Sequence, residues 1–121
     1  MSGKTIEHVR RDLQWMRDHL AQRLRRIRED AAHRAQPLSA DAADRAQELE
    51  NDEVLERLEQ STTRLIGEYQ NAIRRIDQGR YGTCEACGFA IERERLEIVP
   101  QATLCAECAS AVKVKLNGRA A

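Results

Sequence analysis

Ile6, Val9, Leu13, Met16, Leu20 and Ile27 follow one another at alternating steps of three and four residues, with one final step of seven. That spacing draws a single stripe along an α-helix, the a/d seam of a coiled coil. Arg23 stands at the skipped position, and Leu24 beside it is placed to cover the gap. The stripe fades near Asp30, and Pro37 opposes continuation, so the pattern predicts a helix from about Thr5 to about Ala35. His8, His19 and His33 fall among charged residues without a ligand spacing and read as surface groups. Trp15 adjoins Met16 and is expected to pack at the edge of the seam.

A second seam runs through Leu55, Leu58, Thr62, Leu65, Tyr69, Ala72 and Ile76, widened by Val54, Ile66 and Ile73. Gly79 is the expected C-cap. Between the seams lies Gln36-Pro37-Leu38-Ser39-Ala40-Asp41, in which Ser39 or Asp41 can cap the second helix. Two heptad helices joined by a short loop predict an antiparallel coiled-coil hairpin. Each arm would be roughly 40 Å long at about 1.5 Å per residue. The hairpin is expected over 1–79 with a tip near 36–46, and a separate small module over 80–121 that ends in a short helix. The fold class is therefore mainly α.

Composition agrees with extended, solvated helices. One Phe, one Trp and two Tyr in 121 residues, with 33% charged, supply little bulk for a large core. Twenty basic residues balance twenty acidic ones, which argues against nucleic-acid binding by bulk electrostatics. No apolar run reaches the roughly 20 residues of a membrane span. Met1 to Arg11 carries no hydrophobic signal region. The expectation is a cytoplasmic, monomeric protein.

The four cysteines form two pairs, Cys84-Glu85-Ala86-Cys87 and Cys105-Ala106-Glu107-Cys108, separated by seventeen residues. Two C-x-x-C turns can close a tetrahedron of thiolates around one structural Zn²⁺, and this gap suits such a site. Redox dithiols or two disulfides are the alternatives, and the doubling of the pair favours metal. Gly82 and Gly88 flank the first pair where the backbone must turn. The apolar residues of this module are Phe89, Ile91, Leu96, Ile98, Val99 and Leu104, marginal for a stretch of about thirty residues. A bound zinc, with apparent binding energies of roughly 10–16 kcal/mol, would stabilise it.

At the opposite end of the predicted hairpin, Asp41 and Asp44 stand three apart among Ala40, Ala42, Ala43 and Ala46. Acidic residues at a helix start are favoured by capping and the macrodipole alone. The same placement also offers a narrow acidic tip.

In combination, the hairpin, the Asp41-x-x-Asp44-x-Ala46 tip and the four-cysteine module resemble the DksA/TraR family of bacterial RNA polymerase regulators. The resemblance is carried by that tip, by Tyr81-Gly82-Thr83-Cys84-Glu85-Ala86-Cys87-Gly88, by Arg95-Leu96-Glu97, and by Pro100, Leu104, Cys105 and Cys108. It covers about residues 36 to 110. It implies a non-enzymatic regulator that enters the secondary channel of RNA polymerase and changes open-complex lifetime. Asp41, Asp44 and Ala46 would act at the tip, and Cys84, Cys87, Cys105 and Cys108 would hold zinc. It implies no direct DNA binding. In DksA-type members, ppGpp binds between the factor and polymerase with help from basic side chains. The corresponding positions here are Glu68, Val99 and Ala109, with Leu65 retained, so a ppGpp site of that type is not expected. Arg64, Arg74, Arg75 and Arg80 are the cations that could compensate.

Three rival readings remain. A transcript-cleavage factor would use two tip carboxylates to hold a second Mg²⁺. A nucleic-acid-binding zinc ribbon would use Arg93, Arg95, Lys113 and Lys115, but few aromatics are present for stacking. A coiled-coil adaptor would open the hairpin into a dimer, which a polar seam residue such as Arg23 disfavours.

Overall fold

The computed structural model describes residues 5–33 and 41–120, with side chains at 5–32 and 41–113. Among the described residues the helices are, in order, α1 (Ile6–His33), α2 (Ala42–Asp77), α3 (Arg93–Ile98) and α4 (Ala106–Ala120). The only β-type pairing among the described residues is the isolated antiparallel bridge Thr83–Ala90. The predicted loop residues Pro37 and Ser39, and the predicted helix end at Ala35, lie outside the described residues. Two compact units are present, Met1–Trp15 with Glu68–Ala121, and Met16–Gly67.

In the first unit, the start of α1 packs against the end of α2. Thr5 caps α1 by accepting the His8 N–H on its hydroxyl at 3.3 Å. Val9 and Leu13 are buried, as are Tyr69, Ala72 and Ile73 of α2. Arg10 donates from Nε and Nη2 to the two Asp77 oxygens at 3.0 and 3.3 Å, which marks the helices as antiparallel here. Both partners are solvated, so this pair fixes register more than it stabilises. Beyond Asp77 the chain closes in a Schellman motif. Gly79 N–H reaches Ile76 O at 3.0 Å and Arg80 N–H reaches Arg75 O at 2.8 Å. Gly79 takes φ +71°, the left-handed conformation that the motif requires.

In the second unit, Leu20, Leu24 and Ile27 of α1 and Thr62 of α2 are buried. Arg28 Nε donates to Glu59 Oε1 at 3.1 Å, again an antiparallel match. Leu24 holds the seam while Arg23 is exposed. Met16 to Leu20 and Leu20 to Leu24 are two successive four-residue steps, followed by three to Ile27, and they interrupt the strict heptad as a stutter does.

Three expected core residues turn out otherwise. Val54 is 49% and Leu58 37% exposed, because α1 carries no apolar residue after Ile27 except alanines to set against them. Ile6, at the very start of α1, is 46% exposed. Trp15, expected at the edge of the seam, is 63% exposed. No helix among the described residues is long and apolar enough to cross a membrane.

Candidate metal centre and acidic helix start

The first cysteine turn is held by its own backbone. Thr83 and Ala90 bridge, Ile91 N–H donates to Gly82 O at 2.7 Å, and Cys84 N–H donates to Phe89 O at 2.8 Å. Gly88 N–H returns to Cys84 O at 3.0 Å, with Gly88 at φ +79°, so the chain reverses within five residues. The second turn opens α4. Cys108 N–H points to Cys105 Sγ at 3.4 Å, and Ala109 N–H bonds Cys105 O at 2.9 Å. Glu85 N–H donates to Thr103 O at 2.9 Å and joins the two turns.

This backbone brings the four sulfurs of Cys84, Cys87, Cys105 and Cys108 within 4.8 Å of one another. Cys87 and Cys105 are 4.0 Å apart. A tetrahedron with Zn–S bonds of about 2.3 Å has edges of about 3.8 Å, so the cluster fits one zinc ion with little adjustment. Cys84 and Cys105 are buried, Cys108 is half-buried and Cys87 is exposed. Without a cation the cluster resists full ionisation. Hydrogen bonds from backbone N–H groups, that of Cys105 first and that of Cys87 next, draw the Cys84 thiol down to about 6. The neighbouring sulfurs of Cys105 and Cys84 then push Cys108 up to about 12. A divalent ion removes that conflict by neutralising the thiolates it binds.

A small core supports the site: Ile91, Leu96 and Ala102 with the two buried cysteines, and Tyr81, Val99 and Leu104 packed against them. Phe89 and Ile98, expected in this core, are 76% and 82% exposed. Ile98 follows Leu96 by two positions on α3 and so faces away from it. At Phe89 the backbone carbonyl is drawn into the first turn while the ring stays outside. Polar ties complete the module. Tyr81 Oη donates to Pro100 O at 2.9 Å, and Arg95 Nε donates to Leu104 O at 2.8 Å. The Glu92 carboxylate accepts the Ala106 N–H at 3.2 Å and so caps α4 beside Cys105. Its own N–H, then that of Ala106, hold its carboxyl below the usual range.

At the start of α2, Asp41 Oδ1 accepts the N–H groups of Ala43 and Asp44 at 2.9 and 3.1 Å. Asp41 is therefore the N-cap, as one reading of the sequence expected. Asp44 and Ala46 lie in the first turns of α2 and are exposed.

Residues 10–76 match the family model of the DnaK suppressor protein-like N-terminal domain, and residues 79–113 match that of the prokaryotic dksA/traR C4-type zinc finger. The chain belongs to the DksA/TraR family. Its four cysteines all lie in the stretch that matches the C4-type zinc finger, and they are close enough together to hold one zinc ion. The structure of transcription factor DksA2 from Pseudomonas aeruginosa is similar, with a TM-score of 0.78 and 27% identity over 93% of this chain and 85% of that one. The RNA polymerase-binding transcription factor DksA of Caulobacter vibrioides is 40% identical over 46% of this chain and 40% of its own length. That of Escherichia coli K12 is 31% identical over 43% of this chain and 34% of its own length. The aligned stretches thus span less than half the length of these curated relatives.

Against the DksA/TraR pattern, Glu68 is exposed, Val99 packs on the zinc-module core and Ala109 is half-buried. Among the cations that could compensate at a ppGpp site, Arg75 is already engaged. It is 7% exposed and donates to Glu85 Oε1, Arg80 O and Thr83 O. Sequence reasoning missed this role, and that of Glu92. A cation in the last helical turn is ordinary, and only burial distinguishes Arg75 from Arg74. Glu92 serves a helix fourteen residues away, which no local pattern reveals.

Proposed function

We propose that this protein is a DksA-type transcription regulator that binds RNA polymerase through the secondary channel and acts there with the acidic start of α2. The observation that carries the reading is the Asp41-x-x-Asp44-x-Ala46 motif at the N-terminus of α2 in a chain of the DksA/TraR family. The name of its relatives, RNA polymerase-binding transcription factor, supports polymerase as the partner. Zinc is structural in this reading. Four protein thiolates fill a tetrahedron, which leaves no open position for substrate.

The start of α2 would present one carboxylate outward, that of Asp44, with Ala43 and Ala46 keeping the surface slim. Asp41 shapes the end by capping it. A pair of carboxylates holding Mg²⁺ for transcript cleavage fits less well, because Asp41 already serves the backbone. The protein would work without a DksA-type ppGpp site. Glu68 places a negative charge where a polyphosphate would need a cation.

The reading is tested by placing a photo-crosslinking residue at Ala46 and irradiating a complex with purified polymerase. Crosslinks to segments around the catalytic centre are expected. Efficient binding with crosslinks confined to the outer surface would overturn the channel reading.

A further inference from the structure

The buried cation at the end of α2 links the metal site to the helix. Arg75 donates from Nη1 to Glu85 Oε1 at 2.8 Å, and from Nη2 to Arg80 O at 3.1 Å and to Thr83 O. All three acceptors lie in the short segment that leaves the Gly79 cap and enters the first cysteine turn. Thr83 precedes Cys84, and Glu85 follows it. Glu85 also donates its N–H to Thr103 O, so the same residue touches both halves of the metal site. Arg75 is 7% exposed, and a charge held that far from water needs its partners in place.

We propose that Arg75 is a positioning residue that couples zinc occupancy to the order of the last turns of α2. With zinc bound, Cys84 and Cys87 fix the segment 80–85, and the three acceptors converge on the guanidinium. When the metal leaves, only the small module core and a few hydrogen bonds, Glu85 N–H to Thr103 O and Ala106 N–H to Glu92 among them, hold the two cysteine turns together, and the acceptors disperse. The guanidinium is then a buried charge without partners. Unwinding the end of α2 returns it to water at the smallest structural expense. The coupling is reciprocal: whatever orders Arg75 also tightens zinc binding. This inference is independent of the polymerase reading and goes beyond it, because it concerns how metal status reaches the helix.

The test is hydrogen–deuterium exchange of the full chain, zinc-loaded and chelated, for wild type, Arg75→Met and Arg75→Lys, with zinc affinity measured by competition against a chromophoric chelator. In wild type, chelation should raise exchange at 68–79 together with 80–110. In Arg75→Met, where no buried charge is left to expose, exchange at 68–79 should no longer depend on metal, and zinc affinity should fall by about tenfold. Arg75→Lys should not restore either, since one ammonium cannot serve three splayed acceptors as a planar fork does. A residue important only for general stability would leave the metal dependence at 68–79 intact. Unchanged exchange at 68–79 on chelating the wild type overturns the proposal, and that arm needs no variant to fold. Wild-type zinc affinity in a folded Arg75→Met also overturns it.

Discussion

Asp41 Oδ1 accepts the backbone N–H of Asp44 at 3.1 Å, so the two acidic residues at the start of α2 are not equivalent. The first builds the helix end and the second stands on it. Asp41→Ala should fray the first turn and destabilise it by about 1 kcal/mol, while Asp41→Asn keeps a capping oxygen and should change stability by much less. Asp44→Asn should leave thermal unfolding nearly unchanged. Calorimetry on the three variants checks this order. An Asp44→Asn variant as destabilised as Asp41→Ala would contradict it.

Two glycines, one inside α2 and one just beyond its end, should respond to alanine with opposite signs. A Cβ at Gly67 or at Gly79 would meet nothing within 4 Å, so packing does not decide either case. Gly67 lies within α2, where alanine should stabilise by about 0.5–1 kcal/mol. Gly79 holds φ +71°, where a Cβ costs about 1–2 kcal/mol. Urea titrations of Gly67→Ala and Gly79→Ala read the two signs directly.

Removing one zinc ligand should separate the module from the helices. Cys84→Ser is expected to lose zinc and to melt the region around Ile91, Leu96 and Ala102, whose core is small. Much of the far-ultraviolet helical signal should survive, because Leu20, Leu24 and Ile27 pack without help from the module. A variant that loses zinc and unfolds like wild type would refute this.

Acid should weaken the cap on α4. The Glu92 carboxyl titrates below its usual range, chiefly through its own N–H and that of Ala106. Its folded value is lower than its unfolded one, so the contribution is complete above the ordinary carboxylate range near 4.3. It is lost as pH falls through the depressed folded value. Glu92→Gln should therefore flatten the acid limb of stability against pH. An unaltered limb would show that the cap has no energetic role.

The two long helices and the cluster of four cysteines were legible in the sequence because each rests on a local regularity. Seam steps of three and four marked Val9, Leu13, Leu20, Tyr69 and Ala72, and the repeated C-x-x-C marked the cysteines. Gly79 was legible as a cap because a left-handed residue is needed where the seam stops. What could not be read were features set by distant partners. Val54 and Leu58 continue the pattern of α2 but face a stretch of α1 with no large apolar side chain. Phe89 and Ile98 look like core by composition, yet Ala102 and the cysteines fill that place. Arg75 looks like any helix-end cation until its burial and its three acceptors are known.

The absence of cations at Glu68, Val99 and Ala109 leads to a prediction about the alarmone. Adding ppGpp to the factor–polymerase complex should change the factor's effect little beyond what ppGpp does to polymerase alone. Strong synergy in a titration would place a binding site on other cations, Arg64, Arg74 or Arg80 among them.

The most direct test of the central claim is the lifetime of open complexes on a ribosomal RNA promoter with purified polymerase, with wild-type protein and with Asp44→Asn. The account predicts that wild type shortens the lifetime and that Asp44→Asn binds polymerase equally well but does not. Equal shortening by both proteins would contradict a role for the acidic start of α2, and polymerase binding with no effect of wild type would contradict the regulatory reading itself.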